Sequence, residues 1–443
     1  MSLSIHTLKC TFLLILCSYF AAFQQVMAQT QKTFESLEEV LLFAKEKNYS
    51  FINAEIQTKL AELTKKTAWA NVVNPRVPAS IQSLDNINQQ VILMPGELFG
   101  QPDIYREITT GQRYSSVFNI QPQFDIVNLG AIQQVKSSRL NEQLTEVQNK
   151  INEQAVYDQI NSIYFNILSY KEQIEIVKQN IAIADTIFKI TQNRFLEEVG
   201  RKQDVNEAEV NLISLQDNLE QLLLNLKIQE ESLALYFENN IYPILNEKLS
   251  DYENKRGSLH TENSLQLQNS ELQFEVMQQN LKVAKAQNWP TLSFVSSVNW
   301  QNLSNDGFFK ANSRWIDYSY IGLKLSMDIP STVSKLSSIK DKQYQSLLLK
   351  TTAEHAVKEM ETKNRKMILD YEKALSQFFN LKKIVILKED TYHKNFNQYQ
   401  ENILSLDKLL ISYRDLLLAK LNVVTALATI GFNKSKIDIN NKF

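Results

Sequence analysis

The sequence contains 443 residues, of which 44% are hydrophobic and 22% are charged, and its formal net charge at pH 7 is −2. Only 9 residues are glycine and 8 are proline, which predicts a high helical content in a chain long enough for more than one domain. The near-neutral charge gives no reason to expect a nucleic-acid partner, so no nucleic-acid binding is predicted.

Residues 1–28 have the pattern of a secretory signal peptide. Lys9 is their only charge, a short apolar core follows it, and Ala28 ends the cleavage pattern. The apolar run is too short to cross about 30 Å of hydrocarbon. Both cysteines, Cys10 and Cys17, lie in this segment, so the mature chain is expected to have no thiol, disulfide or zinc-thiolate site. A lipid anchor on the second cysteine is the less favoured alternative, because a leucine precedes it where lipoprotein signals need a small residue.

Two amphipathic helices are predicted after the signal peptide, over residues 34–47 and 48–73, and Pro75 ends the second helix. A first strand is predicted over 76–84, and a loop follows over 84–112. Glycine and proline cluster in this part of the chain, which separates it from long proline-free spans.

The stretch 113–127 alternates between apolar and polar residues. The apolar side carries Tyr114, Phe118, Ile120, Phe124 and Ile126, and the polar side carries Ser115, Asn119, Gln121 and Gln123. This alternation predicts a β-strand and fits a half-buried strand of a soluble protein as well as a transmembrane strand. The length of roughly 45 Å, at about 3.3 Å per residue, favours a strand that crosses a membrane.

A proline-free span over 129–237 predicts a long helical hairpin with a short break at 197–203. At about 1.5 Å rise per residue the first arm is roughly 100 Å long, which no ordinary globular core requires. Apolar residues recur at heptad spacing in the second arm: Val205, Leu212, Leu219, Leu226 and Leu233. This seam predicts an antiparallel coiled coil.

The layout of residues 29–237 occurs a second time in residues 263–431, after a linker at 238–262. Pro75 of the first copy, which separates a helix from a strand, has its counterpart in Pro290. The sequence therefore predicts a duplicated unit of helix, strand, loop, strand and helical hairpin.

The second copy contains strands predicted over 291–301 and 314–328 and a hairpin over 331–431, and a polar C-terminal tail follows at 432–443. The loop between its strands, 301–313, is shorter than the corresponding loop of the first copy. Because loops tolerate insertions best, we expect both loops to face outward from the cell.

The returning helix of the second hairpin is apolar on two sides. One stripe contains Leu410, Leu417 and Val424, and the other contains Leu409, Leu416, Val423 and Ile430. A helix with neighbours on both sides fits a closed ring of helices. The four strands of one chain cannot close a membrane barrel, because closure needs about eight strands or more. Three chains would supply 12 strands, so a trimer is predicted.

Each hairpin has its tip at a turn rich in charged and amide residues. The first tip reads Arg194-Phe195-Leu196-Glu197-Glu198-Val199-Gly200-Arg201-Lys202-Gln203-Asp204-Val205, and the second runs from Tyr399-Gln400-Glu401-Asn402 to Leu409-Leu410. Together with the alanine-rich helix end before the proline in 284–290, this duplicated pattern resembles the TolC family of outer-membrane efflux and secretion channels, over essentially all of residues 35–431. Glu198 and Asn402 stand where the family usually has glycine, and Lys408 stands where a second aspartate is expected.

The resemblance implies a mainly α protein with a small transmembrane β part. Members of the family are homotrimers in which a 12-stranded β-barrel in the outer membrane continues into a long periplasmic α-helical coiled-coil barrel. Such a channel is the passive exit duct of a tripartite efflux or type I secretion system. It implies contact with outer-membrane lipid, an inner-membrane transporter and a periplasmic adaptor protein as partners, and neither catalysis nor a cofactor. The transported substrate and the class of pump are not identified by it.

Six residues form the predicted periplasmic tip or gate: Glu198, Gly200, Asp204, Asn402, Asp407 and Lys408. In a trimer the two tips of each chain would converge at the pore axis, where repeated carboxylates raise the local cation concentration. Asp204 is therefore expected either to line the entrance and favour cations or to cap the returning helix. Because Lys408 offsets Asp407, the second tip is expected to be nearly neutral.

Two other classes of protein are less well supported. An enzyme is one alternative, but His260, His355 and His393 are scattered, which argues against metal binding by them, and no phosphate loop, nucleophile elbow or paired catalytic motif occurs in the sequence. A periplasmic adaptor, or membrane fusion protein, also carries a helical hairpin. Adaptors surround one hairpin with glycine-rich β-domains, whereas here two hairpins alternate with two pairs of strands.

Overall fold

The computed structural model of the protein describes residues 30–100, 104–237, 241–253, 261, 264–327, 329 and 333–443. The predicted signal peptide lies outside these residues, and so do Cys10, Cys17, His260 and Asn263. The chain divides into two compact units. The helical unit contains the described residues up to 56 together with 148–267 and 356–443, and the sheet unit contains 57–147 and 268–355.

The helices of the described chain follow the predicted spans closely except at the C-terminus. They are α1 (Leu37–Lys47), α2 (Tyr49–Val73), α3 (Leu129–Leu196), α4 (Lys202–Ala234), α5 (Leu265–Ala286), α6 (Val333–Gln400) and α7 (Leu406–Asn441). The strands are β1 (Thr30–Phe34), β2 (Ala79–Asp85), β3 (Gln90–Pro95), β4 (Tyr105–Thr110), β5 (Tyr114–Ile120), β6 (Gln123–Val127), β7 (Ile241–Leu245), β8 (Thr291–Ser304) and β9 (Arg314–Ser326). The division into two sequence repeats stays a prediction, because each compact unit combines segments of both repeats.

Apolar residues at helical spacing build the core of the helical unit. On α3 they include Tyr157, Ile160, Tyr164 and Ile167, and on α7 they include Leu427, Ile430 and Ile437. A second cluster lies nearer the hairpin turns and contains Leu215 and Leu222 of α4 with Leu409 and Leu416 of α7. By length and composition α7 is also the one helix of the described residues that could cross a membrane, but 50% of its most apolar window is buried, as in a core helix.

The C-terminal segment differs from the predicted polar tail at 432–443. Helix α7 continues to Asn441, because Ile437 and Ile439 are buried in the core of the helical unit and extend its apolar side. The ring of Phe443 then lies 6.0 Å from the ring of Tyr157. The sequence did not predict these last turns as a helix, because polar residues on their outer side interrupt the apolar pattern.

A short parallel strand pair was not predicted. β1 pairs with β7, and Phe34 is opposite Leu245. The ring of Phe34 stacks on Phe237 at 5.4 Å, which places the start of the described chain beside the end of the first hairpin. Each strand has only five residues, so neither is long enough to produce a clear alternation.

The sheet unit contains a five-stranded antiparallel sheet. Four strands lie in the order β2-β5-β8-β9, and the fifth, β6, pairs with the N-terminal part of β8 on the same side as β5. β5 and β6 occupy the predicted strand 113–127, which is interrupted at Gln121 and Pro122 because proline has no N–H for the ladder. Asp85, Tyr114, Ser304 and Arg314 lie at one end of the sheet, here called the loop end.

The predicted loop 84–112 is not without structure. It contains β3 and β4, which pair with each other as an antiparallel hairpin from Gln90 opposite Thr110 to Pro95 opposite Tyr105. A 3₁₀ helix over Gly96–Phe99 follows β3. Among the described residues, neither strand pairs with the five-stranded sheet.

The two faces of the five-stranded sheet differ in character. Cross-strand neighbours on the apolar face include Ile81, Phe118, Trp300, Phe124 and Phe294. The polar face carries Ser115, Asn119, Ser297, Asn299 and Gln301, and Asn119 donates to Ser297 and Asn299. In the described chain β2 and β9 each pair along one side only, so the sheet has two open edges. Apolar and polar faces on long antiparallel strands are expected of a sheet that separates lipid from water.

Candidate functional site at the hairpin tips

The turns that connect α3 to α4 and α6 to α7 have the same backbone conformation. Glu198 has φ +60° and Asn402 has φ +61°, so both residues lie in the left-handed region. In the first turn the N–H of Val199 donates to the carbonyl of Arg194 at 2.9 Å, and in the second the N–H of Ile403 donates to the carbonyl of Gln398 at 2.9 Å. Both helices therefore end in a Schellman motif, for which glycine is the preferred residue at the left-handed position.

This geometry explains why glycine is the expected residue at the two positions where the sequence departs from the pattern of the family it resembles. A left-handed conformation costs an L-residue other than glycine roughly 1–2 kcal/mol, while asparagine tolerates it better. Glu198 carries this cost without the local advantage of asparagine, and Asn402 carries a smaller one. The two turns thus keep the conformation that glycine would favour without containing glycine at that position.

Replacing Glu198 with glycine is expected to stabilise the first turn. Removing the left-handed penalty should raise the stability of the protein by about 1 kcal/mol, which increases Tm by a few degrees at most. The matched variant Asn402→Gly should raise Tm less. Thermal unfolding followed by circular dichroism measures both changes, and a Glu198→Gly protein with an unchanged or lower Tm would contradict this reading.

Gly200 is required by a close approach within the first turn. A Cβ atom at this position would lie 3.0 Å from the backbone nitrogen of Phe195 and 3.1 Å from the carbonyl carbon of Arg194. Backbone atoms cannot move aside as a flexible side chain can. The turn therefore places its glycine where the returning chain passes the end of α3, rather than at the left-handed position.

Arg194 connects the two hairpins of one chain. Its guanidinium donates to the backbone carbonyls of Tyr399 at 2.9 Å and of Gln400 at 3.1 Å. These carbonyls belong to the last turn of α6, where a cation also interacts favourably with the helix dipole. The guanidinium lies 4.3 Å from the centroid of the Tyr399 ring, and the hydroxyl of that tyrosine shares a hydrogen bond of 3.0 Å with the hydroxyl of Thr191. We call this set of contacts the tip clasp.

The carboxylate of Asp204, one of the predicted tip residues, has a cationic partner in its own turn. The guanidinium of Arg201 donates to the carboxylate of Asp204 at 2.9 and 3.3 Å, so this carboxylate is partly neutralised within its own turn. Asp204 lies in the first turn of α4, where Arg201 is the N-cap residue and makes no side-chain capping bond. Asp407 and Lys408 are exposed at the start of α7.

Glu207 adds a carboxyl group that the sequence analysis missed. A hydrogen bond with Asp407 is the main reason why the pKa of the Glu207 carboxyl is raised, and the negative charge of Asp204 acts in the same direction. The first hairpin therefore contributes an acid beside the second tip, and the near neutrality expected from Asp407 and Lys408 stays a prediction. The preference for cations at Asp204 stays a prediction.

The structure places all six predicted residues on the two turns or on the first turns of the helices that follow them. It brings Asp407 together with Glu207, and it joins the two tips through Arg194 and Tyr399. Among the described residues, no group of three or more histidine, cysteine, aspartate or glutamate side chains is arranged to hold a metal ion.

Paired helical hairpins together with an amphipathic antiparallel sheet that has two open edges define a fold of outer-membrane channels, as comparison with solved structures shows. No protein-family model matches the sequence, and no curated protein matches it. The open state of the MtrE outer membrane channel of Neisseria gonorrhoeae matches with a TM-score of 0.67 and 14% sequence identity, over 91% of this chain and 88% of that chain.

Two further solved structures match to a similar extent. The outer membrane protein VceC from Vibrio cholerae has a TM-score of 0.65 and 14% identity, over 91% of this chain and 94% of that chain. The CmeC outer membrane channel of Campylobacter jejuni also has a TM-score of 0.65 and 14% identity, over 91% and 85% of the two chains. The chain therefore has the fold of these outer-membrane channels, and the resemblance stated from the sequence is confirmed at the level of the fold.

Proposed function

We propose that the protein is the outer-membrane channel of a tripartite efflux or type I secretion system, and that it forms a homotrimer. The observation that carries the proposal is the five-stranded sheet, which has one apolar face, one polar face and two open edges. An open edge inside lipid leaves backbone N–H and C=O groups without partners, which costs several kcal/mol for each group. The sheet therefore needs further strands before it can lie in a membrane.

The strand directions allow three copies to close a barrel. Along the order β2-β5-β8-β9 the strands alternate in direction, so β2 runs toward the loop end and β9 runs away from it. Pairing β9 of one copy with β2 of the next copy continues the antiparallel alternation without a break. Because β5 and β6 occupy one strand position beside β8, each chain contributes four positions. Three copies repeat this contact and close a barrel of 12 strands, with the apolar faces toward lipid and the polar faces toward the pore.

The hairpin tips are proposed to form the periplasmic gate of the channel. The tip clasp holds the two turns of one chain together, and the exposed carboxyl groups of Asp407 and Glu207 lie close to each other on the first turns of α7 and α4. In this proposal an inner-membrane transporter and a periplasmic adaptor protein engage the tips, and the channel itself is a passive duct without catalytic activity. The names of the matched structures, which are outer-membrane channels, support this reading over that of a periplasmic adaptor.

Disulfide formation between β2 and β9 of neighbouring copies tests the closure of the barrel. Gln82→Cys on the polar face of β2 is combined in turn with cysteine at Ile316, Tyr318 or Tyr320 on the same face of β9. Cross-strand Cα atoms about 4.5–5.5 Å apart permit a disulfide, so we expect one pairing to give covalent dimers and trimers on non-reducing gels.

The control for this experiment is a pair inside one chain. Ser83 and Ser116 face each other across β2 and β5, with their hydroxyl oxygens 2.8 Å apart. Cysteines at these two positions should form a disulfide without producing dimers. If the control pair oxidises while no position on β9 links to β2 of another chain, the proposed trimeric barrel is wrong.

A further inference from the structure

The β3–β4 hairpin has one half-covered face and one bare apolar face. Its half-covered face includes Met94 and Ile108, and the guanidinium of Arg106 lies 5.4 Å from the centroid of the Phe99 ring on this side. The opposite face is open: the exposed fractions are 51% for Val91, 60% for Leu93 and 71% for Tyr105. We call these three residues the bare face.

A two-stranded hairpin of this kind is only marginally stable in water by itself. Within the described residues β3 and β4 pair only with each other, so hydrogen bonds to the main sheet do not support them. Neighbouring apolar side chains of this size on one strand face indicate a contact surface, because monomeric proteins rarely leave such patches uncovered. The bare face therefore needs a partner.

The position of the hairpin in the chain indicates which partner is near. β3 begins five residues after Asp85, the last residue of β2, and β2 is an open edge of the sheet at its loop end. In the proposed trimer, which this inference takes as its starting point, the strand that joins this edge is β9 of the neighbouring copy. The neighbour's turn between β8 and β9 is at the loop end of that strand, and so it lies next to the hairpin.

That turn presents aromatic side chains that are held in place but not covered. Phe308 packs against Tyr114 with ring centroids 4.9 Å apart, and Phe309 stacks on Trp315 at 6.3 Å. The rings of Phe308 and Phe309 nevertheless remain 41% and 51% exposed. Stacking on the sheet of their own chain fixes one side of each ring and leaves the other side available.

The backbone at Phe309 gives a second indication of a contact. Its φ is +53°, a left-handed conformation that is a clear outlier for a bulky residue. Such conformations cost about 1–3 kcal/mol and persist where the surrounding structure or a function maintains them. The strained backbone holds the ring of Phe309 outward. This is consistent with a ring that becomes buried when the copies assemble.

The charges of the two surfaces are complementary as well. Glu107 shares the strand face of Val91 and Leu93 and is exposed, while Lys310 and Arg314 are exposed on and after the β8–β9 turn. Opposite charges around an apolar contact fix its register rather than supply most of its affinity. They favour the turn of a neighbouring copy over lipid, whose apolar tails offer no such partner.

From these observations we propose that the bare face of the β3–β4 hairpin binds the β8–β9 turn of the neighbouring copy. Val91, Leu93 and Tyr105 pack on the exposed sides of Phe308 and Phe309, and Glu107 faces Lys310 and Arg314. Three such contacts link the chains around the loop end of the barrel, beyond the hydrogen-bonded strands. This contact adds a side-chain interface to the main-chain pairing of β2 with β9.

Cysteine cross-linking tests the contact directly. A chain carrying Leu93→Cys and Phe308→Cys is assembled in membranes and treated with a short bismaleimide. We expect most of the protein to migrate as covalent dimers and trimers on denaturing gels. The matched control replaces Ile92 instead of Leu93, because Ile92 is its neighbour on the opposite strand face, and this control should give at least several-fold less cross-linked product.

The outcomes separate this inference from the proposed function. If the cysteines in β2 and β9 link neighbouring chains while the Leu93 pair does not, or links only within one chain, the hairpin contact is wrong and the barrel stands. If the Ile92 pair links neighbouring chains as well as the Leu93 pair does, the bare face is not the contact surface. If neither the strand pairs nor the Leu93 pair link chains, the trimer itself is overturned.

A second measurement covers the case in which the cysteines disturb the fold. Leu93→Asp places a charge in the proposed contact, and it should lower the temperature at which the trimer dissociates on seminative gels. Leu98→Asp changes a residue of similar exposure at the end of the hairpin, outside the bare face, and should leave that temperature unchanged. Equal dissociation temperatures for both variants would overturn the proposal.

Discussion

Replacing Gly431 with alanine is expected to destabilise the helical unit severely, although the change adds only one methyl group. The new Cβ atom would lie 2.1 Å from Cε1 and 2.8 Å from Cζ of Phe165, a ring that is buried in the core. Alanine is better than glycine in a helix by about 1 kcal/mol, but overpacking a core typically costs about 1–3 kcal/mol and occasionally more. Because the new atom overlaps the ring so closely, we expect a clash at the upper end of this range and a net loss of roughly 2 kcal/mol.

Thermal unfolding measures this loss, and the chain offers a matched control. A Cβ atom added at Gly322 in β9 would meet no neighbouring side chain or backbone atom within 4 Å, so Gly322→Ala should leave Tm nearly unchanged. Combining Gly431→Ala with Phe165→Leu should restore part of the lost stability, because the smaller side chain makes room for the methyl group. A Gly431→Ala protein as stable as the unsubstituted one would show that α3 and α7 do not approach each other as described.

Loss of the Arg194 side chain is expected to release the two tips from each other. Arg194→Ala removes two charge-assisted hydrogen bonds to the end of α6 and the contact with the Tyr399 ring. Hydrogen bonds of a charged group contribute roughly 1.5–3 kcal/mol. In the proposed channel, a loss of about 2 kcal/mol would shift the closed–open equilibrium roughly 30-fold toward the open state for each chain. Planar-bilayer recordings should therefore show a higher open probability at the same voltage.

Arg201 provides the control for this experiment. It belongs to the same tip and carries the same charge, but its guanidinium donates to Asp204 in its own turn, and it interacts with the second tip through the charge of Asp407 instead of through hydrogen bonds to α6. Arg201→Ala should leave the open probability close to that of the unsubstituted channel, although its ion selectivity can change because Asp204 is then unpaired. If both substitutions open the channel equally, the effect comes from the lost charge and the tip clasp is not the gate.

The sequence predicted the long helices well because their signal is long. The ends of α3 at Leu129 and Leu196 follow from a proline-free periodic span with a charged break after it. The β1 and β7 strands were missed because five residues carry too little periodicity, and their pairing joins distant parts of the chain. The β3–β4 hairpin was predicted as a loop, because its glycine and proline residues obscured two short alternating runs.

At the candidate site the sequence located the turns but not the contact between them. Glu198 and Asn402 were recognised because they replace glycine in a known pattern, and the structure supplies the physical reason in their left-handed backbone. Arg194 was not recognised, since its partners are backbone carbonyls. Every residue has a backbone carbonyl, so the residue types in the sequence do not identify such a partner. Glu207 escaped notice for a related reason: its partner, Asp407, lies on the other hairpin.

The pairing of β1 with β7 has a consequence for the order in which the chain folds. These strands hold the start of the first repeat against the linker that follows it, and Asn246 after β7 also donates to Glu35 across a separation of 211 residues. Contacts between residues so far apart in sequence form late, because a long loop must close first. A chain that emerges with its N-terminus first therefore keeps β1 unpaired until the whole first hairpin has followed it. A chain that lacks residues 30–34 would have no strand with which β7 could pair.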